Sequence, residues 1–271
     1  MRCLPVLLCL LPMLAQAEIS VVTSIRPLYQ ITASLMQGAG KPELLIKNQQ
    51  SAHHLAFRPS HFKTLQQADL VIWIDRRFES GFQSLVPILP EQARQLELLP
   101  ALGLEKQDGH IWYSPTLLIQ ISQQITKVLG EIDVDNRHIY DKNRQDFQQN
   151  VAIWQQSIEQ LLSRHTPRYL LDHDFLHHFE QAFGLDAIAV IYNSHGQYGS
   201  IKTLRMIEQR LQTQPANCLI SNEADISRIG DNLTIRFNLS RYSIKSFAHD
   251  SDAATQFIRH LQHLGEILRD C

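Results

Sequence analysis

Residues 136–164 read NRHIYDKNRQDFQQNVAIWQQSIEQLLSR, a polar run without proline or glycine. Its apolar side chains Tyr140, Phe147, Val151, Trp154, Ile158 and Leu161 recur at threes, fours and sevens, the spacing of one helix face. At about 1.5 Å per residue such a helix would be roughly 45 Å long, and Pro167 stops it. A helix of that length in mid-chain predicts a brace between two lobes rather than a part of either.

The flanks support two lobes. On the N-terminal side, short β-branched or apolar runs at 19–23, 43–46 and 70–74 alternate with helical patterns at 28–36 and 61–67. Strand and helix in alternation imply a parallel sheet covered by helices. Ser114-Pro115 then opens a further helix as cap and first-turn proline, with Leu118, Ile121, Ile125 and Val128 on one face. On the C-terminal side a second series follows, with strands at 169–171, 187–192, 218–221 and 242–247, a helix at 201–211, and a terminal helix carrying Phe257, Leu261, Leu264 and Leu268. The expected architecture is α/β: residues 18–135 as one lobe, 136–165 as a long rigid linker helix, 166–271 as a second lobe of similar size, and any ligand site in the cleft between them.

Composition narrows the function classes. The chain has 271 residues, 44% of them hydrophobic, and a formal charge of −2. It can bury a sizeable core and has no basic excess for nucleic acid. Residues 1–17 read as a cleavable secretory signal: Arg2, a short apolar run to Leu14, then Ala15-Gln16-Ala17 before Glu18. A lipoprotein signal at Cys9 is the weaker alternative, because Val6-Leu7-Leu8 lacks a small residue. No later stretch reaches the roughly 18–20 apolar residues of a membrane-spanning helix, so the mature protein is expected to be soluble and extracytoplasmic. Cys3 and Cys9 leave with the signal. In an oxidising compartment the remaining Cys218 and Cys271 most simply form a disulfide, two inert thiols being the alternative.

Thirteen histidines draw attention, but position decides which matter. His53 lies in a loop after a strand, His110 just before Trp112, and His173 immediately after strand 169–171. These are carboxyl-end positions of the kind at which α/β sheets hold ligands, two in one lobe and one in the other. Neutral imidazoles meeting from two lobes suit Zn2+. His177 and His178 on the following helix read as a solvated face, and His54 as a neighbour of the site. Trp112 reads as a packed wall beside His110, Pro59 as a turn former, Ser60 as a helix cap, and Asp174 as either an imidazole-orienting group or a helix-start acid.

Four ordered motifs add a resemblance. Thr23-Ser24-Ile25-Arg26-Pro27-Leu28, His53-His54-Leu55-Ala56-Phe57-Arg58-Pro59-Ser60, Asp108-Gly109-His110-Ile111-Trp112-Tyr113-Ser114-Pro115, and His173-Asp174-Phe175 through Phe183-Gly184-Leu185 resemble the zinc and manganese solute-binding proteins of ABC importers, most closely the periplasmic zinc-uptake branch. The resemblance implies Zn2+ as transported ligand, His53, His110 and His173 as its ligands, a Cys218–Cys271 disulfide, and an ABC permease as partner of a monomeric protein. It departs from the family at Ala52, where an acid is common, at residues 104–108, where no long His-rich loop occurs, and at residues 246–250, where Ser246-Phe247-Ala248-His249-Asp250 replaces a Leu-Asp-Pro segment. Asp250 is the expected fourth ligand, with His249 as the alternative and water as the fallback.

Three rival functions follow from the same residues. A manganese-binding protein would want more carboxylates than three imidazoles provide. A zinc hydrolase would want a positioned general base, and no His-Glu-x-x-His helix is present, so no catalytic residue is assigned. An adhesin could keep this fold without transport.

Overall fold

The computed structural model describes residues 18–47, 58–192, 201–222, 227–244 and 253–271. The first half comprises β1 (Val21–Thr23), α1 (Arg26–Leu35), β2 (Glu43–Leu44), α2 (Pro59–Gln66), β3 (Leu70–Trp73), β4 (Arg94–Glu97), α3 (Leu98–Ala101) and α4 (Pro115–Ile132). After α5 (Arg137–Leu162) come β5 (Tyr169–His173), α6 (His177–Phe183), β6 (Ala189–Tyr192), α7 (Ile201–Thr213), β7 (Cys218–Asn222), α8 (Arg228–Phe237), β8 (Ser240–Ile244) and α9 (Ala253–Asp270).

Each half builds one parallel four-stranded sheet, in the orders β2-β1-β3-β4 and β6-β5-β7-β8. The two orders follow the same plan. The first strand of each half lies between the second and third, so each sheet has a switch point on that strand, where α/β folds open a crevice at the carboxyl ends. Helices cover both faces, so the central strands bury every side chain: Leu70, Val71, Ile72 and Trp73 in β3, and all five residues of β5. The two-lobed α/β plan read from the sequence is therefore the observed one.

The long helix buries Tyr140, Phe147, Val151, Trp154 and Ile158 on a single stripe. Its 26 residues span about 39 Å. Trp154 donates its indole N–H to the Leu261 carbonyl at 3.1 Å, and Phe147 faces Phe257 with ring centroids 6.0 Å apart, so α9 lies along α5. Gly265 permits the approach, since a Cβ there would meet Ile158 at 2.7 Å. Asn143 on α5 donates to the carbonyls of Leu35 and Gln37 at the end of α1. α9 also packs on α1, so the two halves share one hydrophobic core running through β1, β3, α5, β5, β7 and α9. The brace is thus more than one helix: α9 doubles it.

Several local expectations shift. β4 and α8 have no counterpart among the expected elements, and β8 starts at Ser240, earlier than the expected 242. His173 is the last residue of β5 rather than the first after it. Ser60 does not cap α2. Pro59 opens that helix and Arg58 holds the cap position, its backbone N–H donating to His61 Nδ1 at 3.1 Å. Cys218 and Cys271 form the disulfide, Cα atoms 5.4 Å apart. Among the described residues no helix is long and apolar enough to cross a membrane. Residues 1–17, the expected signal, lie outside the described residues.

Candidate metal centre

His173 ends β5, the switch-point strand of the second sheet, and is 3% exposed. Its partner comes from the other half of the chain. His110 sits at the start of the 3-10 turn Ile111–Tyr113, is 5% exposed, and brings its ring centroid to 5.3 Å from that of His173 at an interplanar angle of 72°. Two imidazoles on one tetrahedral zinc, with Zn–N of about 2.0–2.1 Å, have centroids about 5 Å apart. The observed spacing is compatible with a shared ion.

The loop carrying His110 is fixed by packing. Phe78 meets the His110 ring edge-on at 4.8 Å, and Trp112 meets it at 5.3 Å. The wall role read for Trp112 holds. Gly109 is forced by this packing, because a Cβ there would fall 2.2 Å from the Phe78 ring. Behind His173, Phe175 lies nearly parallel to its ring at 6.4 Å, and Tyr113 packs on Phe175 at 5.8 Å.

The decisive polar group is Asp108. Its Oδ1 accepts from His110 Nδ1–H at 2.8 Å and from the His110 backbone N–H at 2.9 Å. A carboxylate only accepts, so Nδ1 carries the proton and Nε2 keeps its lone pair for a metal. Burial pushes the Asp108 carboxyl up, but the His110 imidazole, its two N–H donors and nearby His178 outweigh this and hold it well below the usual carboxylate range. The orienting role considered for Asp174 belongs, for His110, to Asp108. Burial, reinforced by the Asp108 charge, pushes the Asp174 carboxyl up instead. Asp108 stands within a quoted motif, yet the two-residue step from acid to histidine gives no sequence sign of a hydrogen bond.

His178 also departs from its reading. It is 5% exposed rather than solvated, and its Nε2 lies 2.7 Å from the Asp108 carbonyl. His177 beside it is partly exposed and meets Gln181. His53, His54, His249 and Asp250 fall outside the described residues. Among the described residues no group of three or more His, Cys, Asp and Glu side chains could hold a metal ion, and of the expected ligands the described residues bring together only His110 and His173.

A family model described as the zinc-uptake complex component A, periplasmic, matches residues 21–271. The chain belongs to the ZnuA family. The high-affinity zinc uptake system protein ZnuA of Brucella abortus (strain 2308) is 23% identical over 259 residues, 77% of this chain and 78% of that protein. The Yersinia pestis protein of the same name is 27% identical over 241 residues, 76% of each. Among solved structures, a crystal structure of ZnuA superposes with a TM-score of 0.80 at 18% identity, over 92% of this chain and 99% of that one. A mutant of the laminin-binding adhesin of Streptococcus agalactiae gives 0.81 at 18% identity, over 92% and 99%. A manganese-bound mutant of a periplasmic metal-binding protein from Candidatus Liberibacter asiaticus gives 0.79 at 14% identity, over 93% and 100%. At these identities the superpositions establish the ZnuA family's fold in this chain, and the family match agrees with the zinc-uptake resemblance of its motifs.

Proposed function

We propose that this protein is the extracytoplasmic zinc-binding component of an ABC importer, taking up Zn2+ between its lobes and delivering it to a membrane permease. The observation that carries the reading is the buried His110–His173 pair, one imidazole from each half, with Asp108 holding the His110 Nε2 lone pair available. In this reading His53 is the third imidazole, and Asp250, or alternatively His249, is the fourth ligand. Residues 1–17 are a cleaved signal, the mature monomer works in the periplasm, and the lobes divide at 18–135, 136–165 and 166–271. The protein has no catalytic role. Imidazole donors favour zinc over manganese, which prefers carboxylate and carbonyl oxygen.

The test is titration of metal-free protein with Zn2+ and Mn2+ against a competing chelator. Wild-type protein should bind one Zn2+ tightly and Mn2+ much less so, and His53→Ala, His110→Ala and His173→Ala should each lose most of the zinc affinity. Binding should weaken from pH 8 to pH 5, because imidazole ligands must be neutral. His110→Ala with wild-type affinity would overturn the site. Asp250→Ala beside His249→Ala identifies the fourth ligand by which of them loses affinity.

A further inference from the structure

His178 is a histidine from the C-terminal half buried against the backbone of the N-terminal half. It lies on α6, which follows β5 directly and packs on both α4 and the 3-10 turn that carries His110. A carbonyl only accepts, so the 2.7 Å contact with the Asp108 carbonyl puts a proton on His178 Nε2. Burial pushes this imidazole below its ordinary value, consistent with a neutral donor. The same Asp108 receives His110 Nδ1–H on its carboxylate. One residue is therefore held at its backbone by one lobe while its side chain aims a histidine of the other.

We propose that His178 is a positioning residue for the metal site: by fixing the Asp108 backbone across the lobe boundary, it sets the aim of His110 and makes that aim depend on the lobes being docked. This rests on the zinc-site reading above. The chain Nε2–H to carbonyl, carboxylate to Nδ1–H, fixes the rotation of the His110 ring, and His110 is the ring that approaches His173. Without the His178 donor, Asp108 loses its tether to α6. The carboxylate then orients His110 from a loop whose backbone has lost its hydrogen bond to the other half.

The experiment compares wild type, His178→Phe, His178→Gln, Asp108→Asn, the double variant His178→Phe/Asp108→Asn, and His110→Ala. Zinc affinity is measured by chelator competition, and the visible spectrum of the Co2+-loaded protein reports ligand geometry. His178→Phe keeps a ring but no donor, and should weaken zinc binding about tenfold, the scale of losses when an orienting partner of a metal ligand is removed. Its Co2+ bands should shift. His178→Gln places an amide N–H near the position of Nε2 and should restore most of the affinity. Because His178 acts through Asp108, His178→Phe should matter little in the Asp108→Asn background, whereas a general packing effect would multiply with it. If melting of the metal-free protein shows that His178→Phe does not fold, His178→Asn, whose shorter amide falls short of the carbonyl, replaces it in every comparison. Wild-type affinity and spectrum in the donor-less variant, failure of glutamine to rescue, or fully multiplicative effects would each overturn the proposal. His110→Ala separates the two readings: retained zinc affinity there sinks the site itself, while loss there with no effect at His178 sinks only the positioning role.

Discussion

Asp108 and Glu79 are acids with opposite electrostatics, and each yields a prediction. Asp108 is stabilised as a carboxylate by the imidazole and N–H groups it faces, so its value lies in its charge and in accepting from Nδ1. Asp108→Asn keeps the shape but weakens the acceptor and allows the other His110 tautomer. Zinc affinity should fall about 10- to 100-fold, read by the same competition titration, and an unchanged affinity would mean that His110 needs no orientation. Glu79 is fully buried just after β3, accepts from the Ile74 N–H at 2.5 Å, and has the Ser24 hydroxyl beside it. Burial dominates, and its pKa is pushed up from 4.5 to about 8. Between those values the folded protein holds a proton that the unfolded chain has lost. This contribution to stability is therefore complete below about pH 4.5 and is lost as pH rises through about 8. Glu79→Gln cannot ionise, so its melting temperature should match wild type near pH 5 and exceed it increasingly up to pH 9. Parallel melting curves across that range would show that Glu79 is not the group that titrates.

At the scale of elements, α5 is the test of the packing argument. Trp154 is fully buried between α5, α9 and the rings of Phe179 and Phe183, and it also hydrogen-bonds the Leu261 carbonyl. Trp154→Ala should cost about 3–5 kcal/mol, measured as a lowered denaturation midpoint in urea, and a loss below about 1 kcal/mol would mean that α9 repacks freely on α5. This helix was legible because its stripe repeats over many turns without a break. β4 was not, because Arg94, Gln95 and Glu97 are polar and only Leu96 is buried, as on an edge strand with a single neighbour. α8 packs Ile229, Leu233 and Phe237 at four-residue spacing against the second sheet's cluster, but in a helix of ten residues with Gly230 inside it and Ile235 82% exposed on the other side that face is short and blurred. β8 is likewise an edge strand whose exposed start at Ser240 carries no apolar signal. Of the candidate metal centre, His173 could be picked out by its place at the end of a strand, whereas His110, which follows α3 and a loop rather than a strand, was marked by its motif. Asp108 and His178 could not be picked out, since their roles rest on two hydrogen bonds, one of them spanning 70 residues. Helical spacing alone assigns His178 to solvent because it cannot see that α6 is seated against the other lobe.

For the whole molecule, the disulfide and α9 together decide how firmly the chain terminus holds the two lobes. The bridge joins the first residue of β7 to the last residue of the chain, 53 positions apart. Closing a loop of that length stabilises by about 4 kcal/mol in the chain-entropy model. The terminus is not held by sulfur alone, however. The Cys271 carbonyl accepts from the Asn217 side-chain amide at 2.6 Å and from the Arg168 N–H at 3.3 Å, and Leu261, Leu264 and Leu268 are fully buried in the shared core. These contacts keep α9 docked when the bridge is absent, so the double variant Cys218→Ala/Cys271→Ala should fold. Its cost should fall mainly on the equilibrium with the unfolded chain, because the bridge acts by restricting that state. The metal-site half of the same prediction follows from location. His173 ends β5 at the carboxyl edge of the sheet, whereas Cys218 pairs with Tyr169 at the opposite, amino-terminal end of that strand. Cleaving the bridge therefore loosens the far side of the lobe and leaves the imidazole pair where it is. In urea, the double variant should lose up to about 4 kcal/mol relative to oxidised wild type, while its zinc affinity by chelator competition stays within about threefold, a difference under 1 kcal/mol. A zinc affinity that falls as steeply as the stability would mean that the terminal helix, through its packing on α5 and α1, sets the separation of His110 and His173, and that the bridge belongs to the binding mechanism.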